Sequence, residues 1–191
     1  MLPPLQRRFD ALERRRQFVL NTLRPLRPVV RQRKPAPEAW SLNELVHHLV
    51  LVDQGMARSI RYYLDQPPRK PAASAAFKVL AMRAFFALPT RVRIPAQVAA
   101  ITPIDTPDFD TLAADWEAAR ADLRAMLDAV PHARLKAVAF KHPLGGRMSL
   151  LDAVAFIGWH QDHHRKQLRR TLAAVTNGAA SAGVRRQMVW Q

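Results

Sequence analysis

The chain reads WHQDHHRKQ from Trp159 to Gln167. Within this stretch His160 and His164 are four residues apart, so an α-helix would place them one turn apart on the same face. Two imidazoles in that arrangement can bind one metal ion when a third ligand comes from elsewhere in the fold. The alternative is a pair of core histidines that hydrogen-bond to backbone carbonyls or carboxylates.

The two histidines lie inside the apolar pattern that decides the fold. Apolar residues recur at spacings of three and four on both sides of them, namely Leu150, Val154, Ile157, Leu168 and Leu172. Both histidines therefore interrupt a stripe that we expect to face the core. A polar group buried without a partner costs about 1–3 kcal/mol in mutational data. Two buried imidazoles in one stripe thus need either hydrogen-bond partners or a bound ion.

Four long amphipathic helices are predicted from the same periodicity. The first runs from Leu5 to Leu23, and the second from a Ser41–Glu44 capping box to Pro67-Pro68. The third runs from Asp108 or Asp110 to Pro131. The fourth runs from a Ser149 cap to about Val175, where Asn177-Gly178 is a stop signal. Residues 67–107 are predicted to hold a shorter helix from Ala73 to Leu88, followed by an extended loop. No segment reads as a convincing strand.

These features predict an all-α fold, an up-and-down four-helix bundle with an extra helical and loop segment between the second and third long helices. With 191 residues, we expect a single domain over 1–191, with residues 176–191 as a loose tail or a short helix.

The composition restricts the chemistry. The chain has no cysteine, which excludes disulfides, thiolate zinc sites and cysteine nucleophiles. Any thiol chemistry would have to use a thiol that belongs to a substrate. No apolar signal-peptide region opens the chain, and no run approaches the roughly 18 apolar residues of a membrane span. We therefore expect a cytoplasmic protein with no membrane as a partner.

The net charge of +15 is the second unusual feature. Such a charge attracts nucleic acid, an anionic membrane surface or an acidic small molecule. The basic residues are dispersed, and no helix–turn–helix, zinc-finger or aromatic RNA-binding signature accompanies them. We expect no specific nucleic-acid binding and a small-molecule substrate, with Arg165 as a candidate to bind an anionic group.

The second helix offers His47 and His48 as a third ligand. His48 lies three residues after Leu45 and four before Val52, on the apolar stripe, whereas His47 shares its side with polar residues. His48 is therefore the better inward-facing candidate, and the predicted site contains His48, His160 and His164.

Three motifs in this order resemble the DinB/YfiT-like family of metalloenzymes. They are Trp40-Ser41 followed by His48-Leu49, the stretch from His142 to Leu150, and His160 with His164 and Gln167. The resemblance implies an up-and-down four-helix bundle, often a homodimer, in which His48, His160 and His164 bind a divalent metal ion such as zinc or nickel. Some relatives are transferases that use bacillithiol or mycothiol, or isomerases that depend on a low-molecular-weight thiol; many have no known activity. The long segment 67–107 and the strong basicity depart from the family.

The leading hypothesis is a metal-dependent enzyme of the thiol-transferase or hydrolase type, with zinc as the first candidate metal. A helical metalloprotease would need glutamate directly after the first histidine, where this chain has Gln161. The alternatives are a basic helical binding protein whose histidines are structural, and a metal-binding bundle without catalysis.

The positions of several other polar residues also follow from the helical spacing and the predicted loops. Asp53 and Asp162 are candidate bases or candidate hydrogen-bond partners of the metal ligands, although charges on solvated helix faces are the preferred interpretation. Gln167 is placed to hydrogen-bond near the site or to face solvent. His163 is expected at the rim or exposed to solvent. His132 and His142 are expected to lie in loops and to take no part in chemistry.

Overall fold

The computed structural model describes residues 1–87, 101–142 and 145–180. In chain order its elements are α1 (Pro3–Leu23), α2 (Pro28–Gln32), α3 (Leu42–Leu64), α4 (Ala75–Ala87), α5 (Phe109–Asp128), a 3-10 turn (His132–Arg134), β1 (Val138–His142), β2 (Gly146–Ser149) and α6 (Leu150–Ala180). None of the helices in these ranges is both long and apolar enough to cross a bilayer.

The four long helices α1, α3, α5 and α6 form the predicted bundle. Helices α1 and α3 each pack against both α5 and α6. They therefore occupy diagonally opposite corners of the bundle. The apolar residues that recur at helical spacing in α1 are buried, namely Leu5, Phe9, Leu12, Val19 and Leu23. Leu150, Val154, Ile157 and Leu168 of the predicted stripe on the last helix are buried as well. The prediction of a four-helix bundle with an extra segment between the second and third long helices is confirmed.

Contacts along the helices give their directions. Leu12 and Arg15 of α1 meet Gly158 and Asp162 of α6 in the same order, so these two helices are parallel. On the other pair, Asp53 and Arg61 of α3 meet Trp116 and Asp122 of α5, also in the same order. The N-terminal amine of Met1 pairs with Asp128 at the end of α5. The helices therefore run up, down, down and up and do not alternate strictly, because the connection after α3 returns the chain to the starting end of that helix.

Side-chain caps fix where three of the four long helices, α3, α5 and α6, begin. The Ser41 hydroxyl accepts from the Glu44 backbone N–H at 3.2 Å, and the Glu44 carboxylate accepts from the Ser41 N–H at 2.7 Å. Asp108, and not Asp110, caps α5 by accepting from two backbone N–H groups. The Ser149 hydroxyl accepts from the Asp152 N–H at 3.2 Å. Each cap satisfies donors that a helix start otherwise leaves unpaired.

The expectation of no strand is wrong. Residues predicted as a loop form an antiparallel hairpin in which Phe140 pairs with Met148 and His142 with Gly146. The strands have only five and four residues, too few to show a clear alternation in the sequence. Gly146 has a φ of +71°, a conformation that favours glycine. The hairpin leads directly into α6 and so positions the start of that helix.

One helix boundary and one additional helix also differ from the predictions. α6 continues past Asn177-Gly178 to Ala180, because an asparagine or glycine weakens a helix by only about 1 kcal/mol and does not have to end it. The predicted tail beyond Ala180 lies outside the described residues. The basic connection after α1 contains the short helix α2. Its Arg31 donates to the backbone carbonyls of Leu23, the last residue of α1, and of Arg24 and Leu26 just beyond it.

Candidate metal centre

The structure brings the three predicted histidines together in the bundle interior. The Nε2 atom of His48 lies 3.3 Å from that of His160 and 3.1 Å from that of His164, and the latter two are 3.2 Å apart. His48 and His160 are 2% and 8% exposed, and His164 is half-buried. The three nitrogens form a nearly equilateral triangle.

The helix geometry explains this convergence. His160 and His164 occupy one face of α6 because they are one turn apart. α3 runs antiparallel to α6 and presents His48 to the same level, between the buried residues Leu45 and Val52. The choice of His48 over His47 for the inward position is confirmed, since His47 is half-buried and its Nδ1 lies 3.2 Å from the Thr106 hydroxyl.

Hydrogen bonds on the outer nitrogens set the protonation of two of the rings. His48 Nδ1 lies 2.7 Å from the carbonyl oxygen of Ile101, so this nitrogen must carry the proton and donate. His164 Nδ1 lies 2.9 Å from Gln167 Oε1 and donates in the same way. In the neutral rings the Nε2 atoms are then unprotonated, with their lone pairs directed at the centre of the triangle.

Burial keeps the rings neutral. Desolvation lowers the pKa of His48 to about 4 and that of His164 to about 3. It also lowers the pKa of His160 well below its usual value, and the neighbouring imidazoles lower it further. Because a metal ligand must be the neutral imidazole, all three rings are in the ligand form at neutral pH.

The donor set fits a divalent ion. Nitrogens at about 2.0–2.1 Å from a tetrahedral centre are about 3.3–3.4 Å apart, close to the separations in this triangle. Lone pairs that face each other at this distance repel unless a positive charge lies between them. The other ring nitrogen of His160, Nδ1, is buried and has no hydrogen-bond partner among the described residues. Imidazole nitrogens suit zinc and nickel alike.

Aromatic rings surround the triangle. The Trp40 ring lies 4.9 Å from the His48 ring and stacks on His164 at 6.4 Å, measured between centroids. On another side Phe86 of α4 presents its ring to His160 at 5.9 Å and to His163 at 5.5 Å. These ring contacts contribute to the burial of His48 and His160. The sequence singled out Trp40 only as part of a motif, and nothing in it indicated a contact with the histidines.

The remaining histidines lie outside the triangle. His163 is half-buried beside Phe86, in agreement with a rim position. His132 is exposed in the 3-10 turn. His142 was expected in a loop but ends β1, where its Nδ1 accepts from the Gly145 N–H at 3.0 Å and burial lowers its pKa to about 4.

The interpretation of Asp53 as a charge on a solvated helix face is wrong. Its carboxylate is 4% exposed and pairs at 2.7 Å with the Arg120 guanidinium, itself 2% exposed. It also accepts from the Trp116 indole N–H and, at 3.4 Å, from the Gln161 amide. Burial raises the pKa of Asp53, and Arg120 opposes that shift. The partners lie on α5 and α6, so the sequence near Asp53 could not reveal them.

Asp162 and Arg165 are also directed away from the triangle. Asp162 forms two hydrogen bonds with Arg15 of α1, at 2.8 and 3.0 Å. Arg165 is exposed and lines a surface groove between α1 and α6 together with Arg14 and Phe18. Gln167 was predicted either to approach the site or to face solvent, and its bond to His164 decides for the first alternative.

The fold and the triangle together define a class of protein, a four-helix bundle with a three-histidine centre between antiparallel helices. The chain belongs to the DinB superfamily, whose family model matches residues 11–168. That match contains all three histidines and confirms the resemblance noted in the sequence.

Two solved structures share the fold. One is YfiT from Bacillus subtilis, described as a probable metal-dependent hydrolase with an unusual four-helix bundle topology; it is 15% identical with a TM-score of 0.57, over 95% of this chain and 89% of YfiT. The other is a conserved protein from Enterococcus faecalis, 18% identical with a TM-score of 0.58, over 93% of this chain and 99% of that one. A comparison with curated proteins finds no match.

Proposed function

We propose that this protein is a divalent-metal-dependent enzyme whose metal ligands are His48, His160 and His164. The observation that carries the proposal is the triangle of three Nε2 atoms, 3.1 to 3.3 Å apart. The description of YfiT as a probable metal-dependent hydrolase supports the same type of activity. Zinc is the first candidate metal and nickel the second.

Three protein ligands favour catalysis over a structural role. Structural zinc sites usually have four protein ligands, whereas catalytic sites have three and keep a position open. Among the described residues no carboxylate joins the three histidines. When bound, a divalent ion would lower the pKa of water or of a substrate thiol and so supply a nucleophile near neutral pH.

The chain's own residues would position and shield the site. The Ile101 carbonyl and the Gln167 side chain hold two of the imidazoles in the tautomer that directs Nε2 inward. Trp40 and Phe86 line the centre and limit its contact with water. Asp53 is already engaged by Arg120, so a general-base role for this carboxylate would require the ion pair to break.

The nucleophile would be water in a hydrolase and a substrate thiol in a thiol transferase. The likeness to YfiT supports the hydrolase. The absence of cysteine means that a transferase would have to obtain its thiol, such as a low-molecular-weight thiol, from solution. Both reactions would use the same three histidines as metal ligands and would differ in the nucleophile that the metal activates.

Metal analysis of protein purified without an affinity tag tests the proposal. We expect about one zinc or nickel ion per chain, and we expect His160→Ala and His164→Ala to lose it. His132→Ala is the control, because His132 is exposed and outside the triangle. A wild-type protein that takes up no stoichiometric metal would favour the alternative, a basic binding protein with structural histidines.

A second assay tests catalysis. Metal-loaded and chelated protein are compared on two substrate panels. One panel contains activated esters and amides, and the other contains a thiol together with an electrophile. We expect turnover on one of the two panels that is lost on chelation and restored by the metal. Metal binding without turnover on either panel would favour a metal-binding bundle that does not catalyse.

A further inference from the structure

Helix α4 has two apolar faces on opposite sides. Its inner face carries Val79, Met82 and Phe86, which pack on the bundle core. At about 100° per residue, the opposite face carries Phe77, Leu80, Ala81, Ala84 and Phe85. Phe77 is 75% exposed, Leu80 62% and Phe85 38%. The bundle therefore accounts for one apolar face of α4 and leaves the other in contact with solvent.

The two cations of α4 lie at the borders between these faces. Lys78 lies one residue after Phe77, and Arg83 lies six residues after Phe77. These spacings put the two cations on opposite flanks of the outer apolar face. Both are exposed. Long basic side chains at such borders can extend toward charged head groups while their aliphatic stems cover apolar surface. This is the arrangement of a helix that lies in the plane of a membrane surface.

The sequence on both sides of α4 carries charge of one sign. The sequence has no aspartate or glutamate between Asp65 and Asp105, and this interval contains the basic residues Arg69, Lys70, Lys78, Arg83, Arg91 and Arg93. The whole chain carries +15. A second copy placed on this face would bring an equally basic surface against it, whereas an anionic lipid surface offers opposite charge and an apolar interior.

We propose that the outer face of α4 docks on anionic lipid bilayers, with Phe77 and Leu80 inserted among the acyl chains and Lys78 and Arg83 at the phosphates. This replaces the expectation of no membrane partner, which rested on the lack of a spanning segment and so did not address surface binding. The inner face of the same helix contacts His160 and His163 through Phe86. Docking would thus bring the histidine triangle near the lipid. The docking proposal itself does not depend on whether the triangle binds a metal ion.

Vesicle co-sedimentation of the full chain at about 0.15 M salt tests the proposal. The vesicles are pure phosphatidylcholine, or phosphatidylcholine with about a third phosphatidylglycerol. We expect binding to the anionic vesicles and at least about tenfold weaker binding to the neutral ones. Equal binding to both would overturn the proposal, as would no binding to either.

Two pairs of variants separate insertion from general attraction. Phe77→Ser/Leu80→Ser is matched by Phe18→Ser/Val29→Ser, which removes two exposed apolar residues elsewhere. Lys78→Glu/Arg83→Glu is matched by Arg7→Glu/Arg14→Glu, which makes the same change of net charge on α1. We expect each α4 variant to bind at least about tenfold more weakly than its control.

Two results would contradict the docking surface. Equal losses in an α4 variant and its control would show that binding follows the total charge or the total apolar surface. Sedimentation equilibrium provides the second check. The face is a contact between two copies if three results occur together: wild type self-associates, Phe77→Ser/Leu80→Ser is monomeric, and neither protein binds vesicles. Circular dichroism confirms that each variant is folded, which the exposure of the replaced side chains leads us to expect.

Discussion

The Oε1 atom of Gln167 lies 2.9 Å from Nδ1 of His164, three residues before it on α6. An amide oxygen can only accept, so the bond requires the proton on Nδ1 and leaves Nε2 free to bind a metal. Gln167 therefore holds His164 in the tautomer that the triangle needs.

Replacing Gln167 tests this relationship. We expect Gln167→Leu to weaken zinc binding by about 10–100-fold, the usual effect of losing a hydrogen bond to a ligating histidine. Competition with a chromophoric chelator measures the affinity. Gln167→Glu keeps an acceptor and is expected to keep wild-type affinity or exceed it. Equal affinities for Gln167→Leu and wild type would remove this residue from the site.

Loss of the metal is expected to leave the bundle folded. The apolar stripe of α6 continues on both sides of His160 and His164, and four long helices supply most of the burial. Chelation of the native protein, or His160→Ala, should leave the helix content measured by circular dichroism nearly unchanged. Extensive unfolding on chelation would instead identify a structural metal site, as in zinc fingers.

The Asp53–Arg120 pair is expected to matter strongly for stability. Asp53→Asn removes the closer of the two carboxylates beside the buried Arg120 guanidinium and leaves only Glu13, whose Oε1 lies 3.4 Å from Nε of Arg120. Breaking a buried pair typically costs about 3–5 kcal/mol, and we expect a loss toward the lower end of that range because Glu13 remains. Urea unfolding measures the change. Asp122→Asn is the control, because it breaks the exposed pair with Arg61, and we expect it to leave the unfolding midpoint nearly unchanged. Similar midpoints for the two variants would contradict a stabilising role for the buried pair.

Acid is expected to destabilise the metal-free protein in part through His142. Burial lowers the pKa of this imidazole from 6.5 in the unfolded chain to about 4 in the folded protein. Between these two pKa values the imidazole is protonated in the unfolded chain and neutral in the folded protein. The free energy of unfolding therefore falls as the pH falls from about 6.5 to about 4.

His142→Asn removes this titration while keeping an acceptor for the Gly145 N–H. Urea midpoints of the metal-free variant should therefore depend less steeply on pH between 7 and 5 than those of metal-free wild type. Parallel curves for the two proteins would show that His142 does not contribute.

The sequence alone determined the bundle and the candidate centre, because both follow from local periodicity. Helical spacing fixes which side chains share a face, and this was enough to place His160 with His164 and to prefer His48 over His47. Capping residues and prolines located most helix ends for the same reason.

The tertiary structure decided what depends on contacts between distant segments. The partners of Asp53 lie more than sixty residues away on α5 and more than a hundred away on α6, and the acceptor for His48 is a backbone carbonyl of residue 101. The parallel run of α3 and α5 and the 138–149 hairpin likewise depend on packing. Periodicity shows which face of a helix is buried, but only the folded chain decides what that face meets.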